Sequence, residues 1–240
     1  MAPDPELFAG LFRFIRDLLR FPESKAADAA SMAEEVVVDE FSSPAEAELL
    51  AKLKTETPKR LEFHLGGLHG ASLMEFSDGT RVVDKVVGKS SSLSEREAFR
   101  STQKLGWRNL VPTTVAWESD DSVTHSVQMF VSDASRSGSP DVSDYSVIEQ
   151  HRAAACDYYW ASVDRHPGNY LTGSNGSLIL VDNELSDGYA GWDIQSDFVA
   201  ANFGVPLHAD VIKDLRSLDL QEEARRLRSS GFSDEAIEGR

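Results

Sequence analysis

The stretch Ala161–Asp187, ASVDRHPGNYLTGSNGSLILVDNELSD, constrains the fold more than any other part of the chain. It follows an apolar helix predicted over Ala153–Val163, presents Asp164 on a loop, and places Asn169 five positions later. Gly173-Ser174-Asn175-Gly176 has the composition of a tight hairpin turn, and Leu178–Val181 reads as a short buried strand that delivers Asp182. The turn brings the two loop ends together, so three side-chain oxygens converge on one side of a hairpin. Magnesium prefers hard oxygen donors and shares substrate phosphate oxygens and water. An Asn and an Asp from neighbouring loops are therefore an adequate protein contribution, which makes Asn169 and Asp182 the candidate metal ligands. Asp164 is left to accept or orient a hydroxyl proton. Taken singly, Asp and Asn are ordinary turn residues, and a bare D-x-x-x-x-N carries little weight.

The longer run Asp164-Arg165-His166-Pro167-Gly168-Asn169-Tyr170-Leu171, followed by Val181-Asp182-Asn183, resembles the catalytic and metal loops of the phosphoinositide 3-/4-kinase-like branch of the kinase superfamily. The resemblance implies an α+β, compact two-lobed protein-kinase-like fold that binds ATP and Mg2+, with Asp164, Arg165 and His166 on the catalytic loop. It also implies upstream parts in a fixed order. Leu65–Ser72 lies where such a fold has its phosphate-covering hairpin. Gly66, Gly67, Gly70 and Ser72 are the candidate phosphate contacts, because glycines let backbone N–H groups approach phosphate closely. Arg81–Val87 is the following strand, from which Lys85 would reach the α- and β-phosphates.

Ser94 and Glu97 have capping-box spacing, so a helix is predicted to start there. Glu97 either serves only that cap or ion-pairs with Lys85. The surrounding pattern, Arg96-Glu97-Ala98, Leu105-Gly106-Trp107 and Val111–Thr114, is similar to actinobacterial relatives of the phosphoinositide kinases and favours Glu97 over Glu95 for that pairing. Ser126–Val131 is similar to the inter-lobe hinge of type II phosphatidylinositol 4-kinases. That likeness implies an adenine site on the hinge backbone, at Gln128, Phe130 and Val131, with Met129 or Phe130 against the ring face. The sequence departs from the pattern at Asn183-Glu184, where many kinases have Phe-Gly or Asn-Gly. It also carries no long activation segment with an A-P-E-like anchor, which leaves the acceptor open.

The expected organisation is an N-terminal amphipathic helix and acidic linker over 1–57, a β-rich lobe over 58–131, a helical lobe over 132–230 and a tail over 231–240. A further helix is expected from Ser43-Pro44, and one more over His208–Ser229, ended by Gly231. At 240 residues the chain is long enough for one such two-lobed unit. Its one cysteine, Cys156, excludes an intrachain disulfide, and the simplest expectation is a reducing, cytoplasmic setting. The net charge of −16 makes nucleic acid an unexpected partner and disfavours an anionic membrane surface. Leu7–Phe21, with Leu7, Phe8, Leu11, Phe12, Ile15, Leu18 and Leu19 at helical spacing, is broken by Arg13, Arg16, Asp17 and Arg20. It is an amphipathic stripe suited to docking on the domain, on a second copy or on a partner, not a membrane span.

The leading functional expectation is an ATP- and magnesium-dependent phosphotransferase acting on an unknown protein or small-molecule hydroxyl. Two alternatives stand beside it: a non-catalytic kinase-like binding or assembly protein, and a nucleotidyl (AMP) transferase on the same fold.

Overall fold

The computed structural model describes residues 39–62, 70–135, 140–183, 194–234 and 237. The amphipathic stripe over Leu7–Leu19 and the glycines Gly66 and Gly67 therefore lie outside the described residues. The first described element is α1 (Pro44–Thr55). Ser43 is its N-cap and exchanges both bonds of a capping box with Glu46, while Pro44 supplies a preset φ at the first position. Leu49 and Leu50 turn inward from it.

Strands β1 (Lys59–Glu62), β2 (Ser72–Glu75), β3 (Arg81–Val86), β4 (Thr114–Glu118) and β5 (Thr124–Met129) form one antiparallel sheet in the order β1-β2-β3-β5-β4. Antiparallel pairing aligns Lys85 directly with Ser126, and Val82 with Met129. Side chains alternate across the sheet, so Lys85 and Ser126 share one face while Val82, Val115 and Val127 share the other. Leu49, Leu50, Phe76, Val82, Val115 and Val127 make a small core beneath α1.

Helix α2 (Lys89–Lys104) covers the Lys85 face, packing on β4 and β5. It starts at the N-cap Gly88, not at Ser94. Ser94 is fully buried in mid-helix, and Glu97 bonds to arginines instead of closing a capping box. Burial of one whole face overrides the local signal: Ser92 donates to the His125 carbonyl at 2.7 Å, anchoring the first turns on β5.

The second lobe is helical. A short 3-10 turn (Val142–Asp144) leads into α3 (Val147–Tyr159), then the β6 (Tyr170–Thr172) and β7 (Leu178–Leu180) hairpin, α4 (Asp197–Ala201), α5 (Ala209–Arg216) and α6 (Leu220–Ser229). Ser146 caps α3 through a capping box with Glu149, so this helix begins and ends earlier than the apolar run predicts. The single helix expected over His208–Ser229 is two. Ser217 closes α5, and Asp219 accepts from the Gln221 and Glu222 amides to open α6. The larger core gathers Phe99 of α2, Trp107, Leu110, Trp160, Tyr170, Leu180, Phe198 and Leu227. Tyr170 and Phe198 meet edge to face with ring centroids 4.9 Å apart. The fold is thus a mixed helix-and-sheet structure in two lobes, with α2 packed between them. Among the described residues no helix is long and apolar enough to cross a membrane.

Candidate functional site

The β6–β7 hairpin holds the site's frame. Gly173 donates to the Ser177 carbonyl at 2.8 Å and Gly176 to the Gly173 carbonyl at 2.8 Å, with Gly176 at φ 80°, a conformation that favours glycine. Val181 donates to the Asn169 carbonyl at 3.1 Å, so the end of the loop that carries Asp164 is tied to the strand end that carries Asp182.

Arg165 fastens the two together. Its guanidinium donates to Asp157 at 2.9 Å, to the Asn169 carbonyl at 2.7 Å, to the Val181 carbonyl at 2.6 Å and to the Asn183 side chain. It is 2 % exposed, and its partner Asp157 is 1 % exposed. Burial pushes the Asp157 carboxyl pKa up, against the attraction of Arg165 and the hydroxyl of Ser196 at 2.7 Å. Arg165 is therefore a structural tie facing away from solvent. His166 lies on the other side, half exposed, with its Nδ1 accepting from the Gly168 amide at 3.0 Å and its Nε2 3.6 Å from the Asp164 carboxylate. A Cβ at Gly168 would sit 2.6 Å from the His166 ring, so this close turn requires glycine or a displaced imidazole.

Asn169 donates its Nδ2 to the Asp164 carbonyl at 2.7 Å and to the Asp164 carboxylate at 3.3 Å. With its nitrogen committed, the amide's Oδ1 is the atom left for a cation. Asp182 has φ 60°, in the left-handed region that a non-glycine side chain enters at a cost of about 1–3 kcal/mol. Two flanking attachments hold it there: Arg165 on the Val181 carbonyl and Asn183, and Lys85 on its own Oδ1 at 2.7 Å.

Lys85 reaches across from the sheet. Its ammonium bonds Glu95 of α2 at 2.7 Å and Asp182 at 2.7 Å. Burial alone would depress the ammonium pKa, but the two carboxylates overcome it and the net shift is upward. Glu95 is itself fully engaged, since its other oxygen accepts from Ser126 at 2.6 Å.

The lysine's helix partner is thus Glu95 and not Glu97. The two glutamates are about 200° apart around the helix, so only one can face the sheet. Glu97 faces the other way, onto Arg96, Arg100, Arg226 and Ser230. The sequence did carry a signal. Glu97 has Arg100 three residues on and is flanked by Arg96, whereas Glu95 has Ala98 and Phe99 on its own face, the pattern of a side that packs inward.

The residues expected at the hinge are the end of β5 and the segment that follows it. Gln128 is buried and donates to Thr114 at 3.0 Å, on the α2 side of the sheet, so its side chain is already committed. The Phe130 amide donates to the Arg81 carbonyl at 2.9 Å. Val131 follows at the exit from the sheet, where its carbonyl accepts from Ala134. At the hairpin expected over the phosphates, Gly70 has φ 62° and Ser72 opens β2 as a buried residue.

Magnesium can be tested against this donor set. Asn169 Oδ1 and Asp182 Oδ2 are hard oxygens on adjoining segments, and Lys85 holds the Asp182 carboxylate in one orientation. The pair fits an ion that completes its shell with phosphate and water. Among the described residues no group of three or more His, Cys, Asp or Glu is placed to hold a metal. Cys156 belongs to the core of α3, where burial pushes its thiol up to about 12. A cavity of about 830 Å3 opens beside Asp164, lined also by Tyr158, His166, Ser196, Asp197 and Phe203. A groove of about 960 Å3 lies on the opposite face of the sheet from Lys85, lined by Asp84, His125 and Trp117 among others.

No family model and no curated protein matches the sequence. Solved structures do match the fold. The Golgi casein kinase with Mn/ADP bound is 13% identical with a TM-score of 0.51, the comparison covering 80% of this chain and 73% of that one. A second structure of the Golgi casein kinase gives a TM-score of 0.50 at 13% identity, over 81% of this chain and 74% of that one. The chain has a protein-kinase-like fold. The Helicobacter pylori proinflammatory kinase CtkA is also similar, at 14% identity and a TM-score of 0.49, over 75% of this chain and 88% of that one. At these identities the likeness extends to the fold, and the narrower phosphoinositide-kinase-like reading rests on the D-R-H-x-x-N string.

Proposed function

We propose that this protein is an ATP-dependent phosphotransferase that uses magnesium and acts on a hydroxyl of a protein or small molecule. One observation carries the reading: Lys85, from the sheet, joins Glu95 of α2 and Asp182 of the other lobe in a single ion cluster with 2.7 Å contacts on both sides. A lysine held by two carboxylates across a cleft is a preorganised cation for phosphate oxygens, and fixed charges of this kind are the main contribution a protein makes to phosphoryl transfer. Glu95 holds the lysine while nucleotide is absent and while it is bound. Asp182 and Asn169 Oδ1 would hold the magnesium, which neutralises charge on the phosphates. Asp164 orients the acceptor hydroxyl and takes its proton as the oxygen bonds to the γ-phosphorus and the bond to the β-phosphate oxygen breaks. The Asn169 amide bonded to Asp164 aims that carboxylate, and the cavity beside it gives the acceptor an approach.

Two substitutions separate these roles. Asp182→Asn removes a charged ligand and a Lys85 partner, so the stabilisation of the protein by Mg-ATP, about 2.7 kcal/mol at 100 times the dissociation constant, should be largely lost. Asp164→Asn leaves nucleotide binding in place and lowers transfer at least a hundredfold. Full activity in both variants would show the site to be elsewhere.

A further inference from the structure

Helix α2 is gripped from two sides by charges that take no part in the Lys85 cluster. Glu97, fully buried, is bound by Arg226 of α6 and by the Ser230 hydroxyl at 2.9 Å. One turn further along the same face, Ser101 donates to Glu223 at 2.9 Å and accepts from Arg226 at 2.9 Å. Arg226 is itself fully buried and spans Glu97 of α2 and Glu223 of its own helix, and the Tyr159 hydroxyl at the end of α3 donates to Glu223 at 3.0 Å. On the α1 side, Arg100 bonds Glu46 at 2.7 Å and Asp39 at 3.0 Å.

Glu97 and Ser101 are four residues apart and lie one above the other. Glu95 projects about 200° away from Glu97, toward the sheet. The helix is therefore a bar clamped along one face by α6 and delivering Glu95 from the opposite face. A rotation or slide of α2 large enough to withdraw Glu95 from Lys85 would have to break the Arg226–Glu97 contact and the Ser101 pair together. Buried charge pairs are poor sources of net stability compared with apolar packing, and fixing a register is their best-attested use.

We propose that Arg226 is a positioning residue: through Glu97 and Ser101 it sets the rotation of α2 that presents Glu95 to Lys85, so that α6 governs the phosphate-binding lysine from outside the site. This rests on the functional reading above for its catalytic meaning, but not for its test. The state of Lys85 can be measured without turnover, by its rate of acetylation with an amine-reactive ester, read at the Lys85 peptide by mass spectrometry. Replacing the pair by apolar side chains, E97M together with R226M, removes the bridge between the helices, while Glu223 keeps the hydroxyls of Ser101 and Tyr159 and Arg96 keeps that of Ser230. In the folded double variant Lys85 should acetylate at least threefold faster than in the unmodified protein, and the Michaelis constant for ATP should rise while that for the acceptor does not. R226K, whose single ammonium cannot bridge Glu97 and Glu223 together, should show the same change in smaller measure.

Wild-type protection of Lys85 in the folded double variant would overturn the proposal. Should neither variant fold, hydrogen exchange on the unmodified chain decides. Amides of residues 95–101 and of 222–228 should become exchange-competent as one unit, within threefold in opening constant, and α2 opening tenfold or more often than α6 would overturn it. Absence of phosphotransfer in the unmodified protein would count against the functional reading and leave the acetylation and exchange results to decide the role of Arg226.

Discussion

Replacing Arg165 by Met should destabilise the protein by about 3–5 kcal/mol, the usual cost of removing one partner of a buried ion pair. The side chain contributes four hydrogen bonds and is buried together with Asp157. Without it the Asn169 carbonyl keeps the Val181 amide, the Val181 carbonyl loses the 2.6 Å guanidinium donor, and Asp157 keeps only Ser196. For a chain of this size the loss corresponds to a fall in melting temperature of about 6–20 °C.

The effect should also depend on pH. Burial already raises the Asp157 carboxyl, and loss of Arg165 removes the attraction that opposes it. In the variant, Asp157 therefore binds a proton more tightly in the folded state than in the unfolded one. A carboxyl raised in this way loses stability as the pH climbs from the unfolded value of 3.8 toward the folded one, at no more than about 1.4 kcal/mol per pH unit. Urea denaturation of the unmodified and R165M proteins at pH 5 and pH 8 should show a larger difference at pH 8. Adding Asp157→Asn to R165M should restore at least about 1 kcal/mol at pH 8, because it removes the stranded charge. A loss below about 1 kcal/mol, or one independent of pH, would refute the view of Arg165 as the tie between the two loops.

A pH effect of opposite origin is expected at the back of the sheet. His125 bonds Asp84 at 2.8 Å, which raises the imidazole above its ordinary 6.5. Its contribution is full below that ordinary value and is lost as the pH rises through the raised one. Stability should fall across this window by no more than about 1.4 kcal/mol per pH unit, and His125→Asn should flatten that slope in urea titrations. Within the cluster at the cleft, Glu95→Gln should weaken Mg-ATP binding about tenfold or more, because Lys85 loses its fixed partner, whereas Glu97→Gln, acting on Lys85 only through the α2 register, should weaken it less and lower stability as well. Isothermal titration of the two variants beside chemical denaturation separates the effects, and equal loss of binding in both would contradict the assignment of Glu95 as the lysine's partner.

The elements that were legible in the sequence are those whose information is local. The Ser43-Pro44 start of α1, the Gly173–Gly176 turn and the strand leading to Asp182 each follow from two or three residues of fixed backbone preference, and each forms. Lys85 and Asp182 were both singled out, yet their direct contact spans 97 positions and no local pattern encodes it. The choice of Glu97 over Glu95 rested on a resemblance in the surrounding pattern and not on the faces of the helix, and Lys85 pairs with Glu95. Once α2 begins at Lys89, Ser94 is an interior residue and the cap has no terminus to serve. The bonds of the Gln128 side chain to Thr114 and of the Phe130 amide to β3 follow from the register of β5, which no local pattern encodes. The Arg226 clamp was hidden for a similar reason: an arginine in a charged helix of sequence LQEEARRLRS reads as solvated until the packing against α2 is known.

The central claim is transfer of the terminal phosphate of ATP by a site built on Lys85, Glu95, Asp164, Asn169 and Asp182. It is tested most directly by incubating the unmodified protein with magnesium and ATP labelled separately at the α- and γ-phosphorus, with a panel of protein and small-molecule alcohols as acceptors. Appearance of the γ-label on an acceptor, or on the protein itself, with the α-label remaining in ADP and with both outcomes abolished by Asp164→Asn, is the predicted result. Transfer of the α-label would contradict it in favour of nucleotidyl transfer, and binding of Mg-ATP with neither label moved would mark the fold as a nucleotide-binding scaffold without phosphotransferase chemistry.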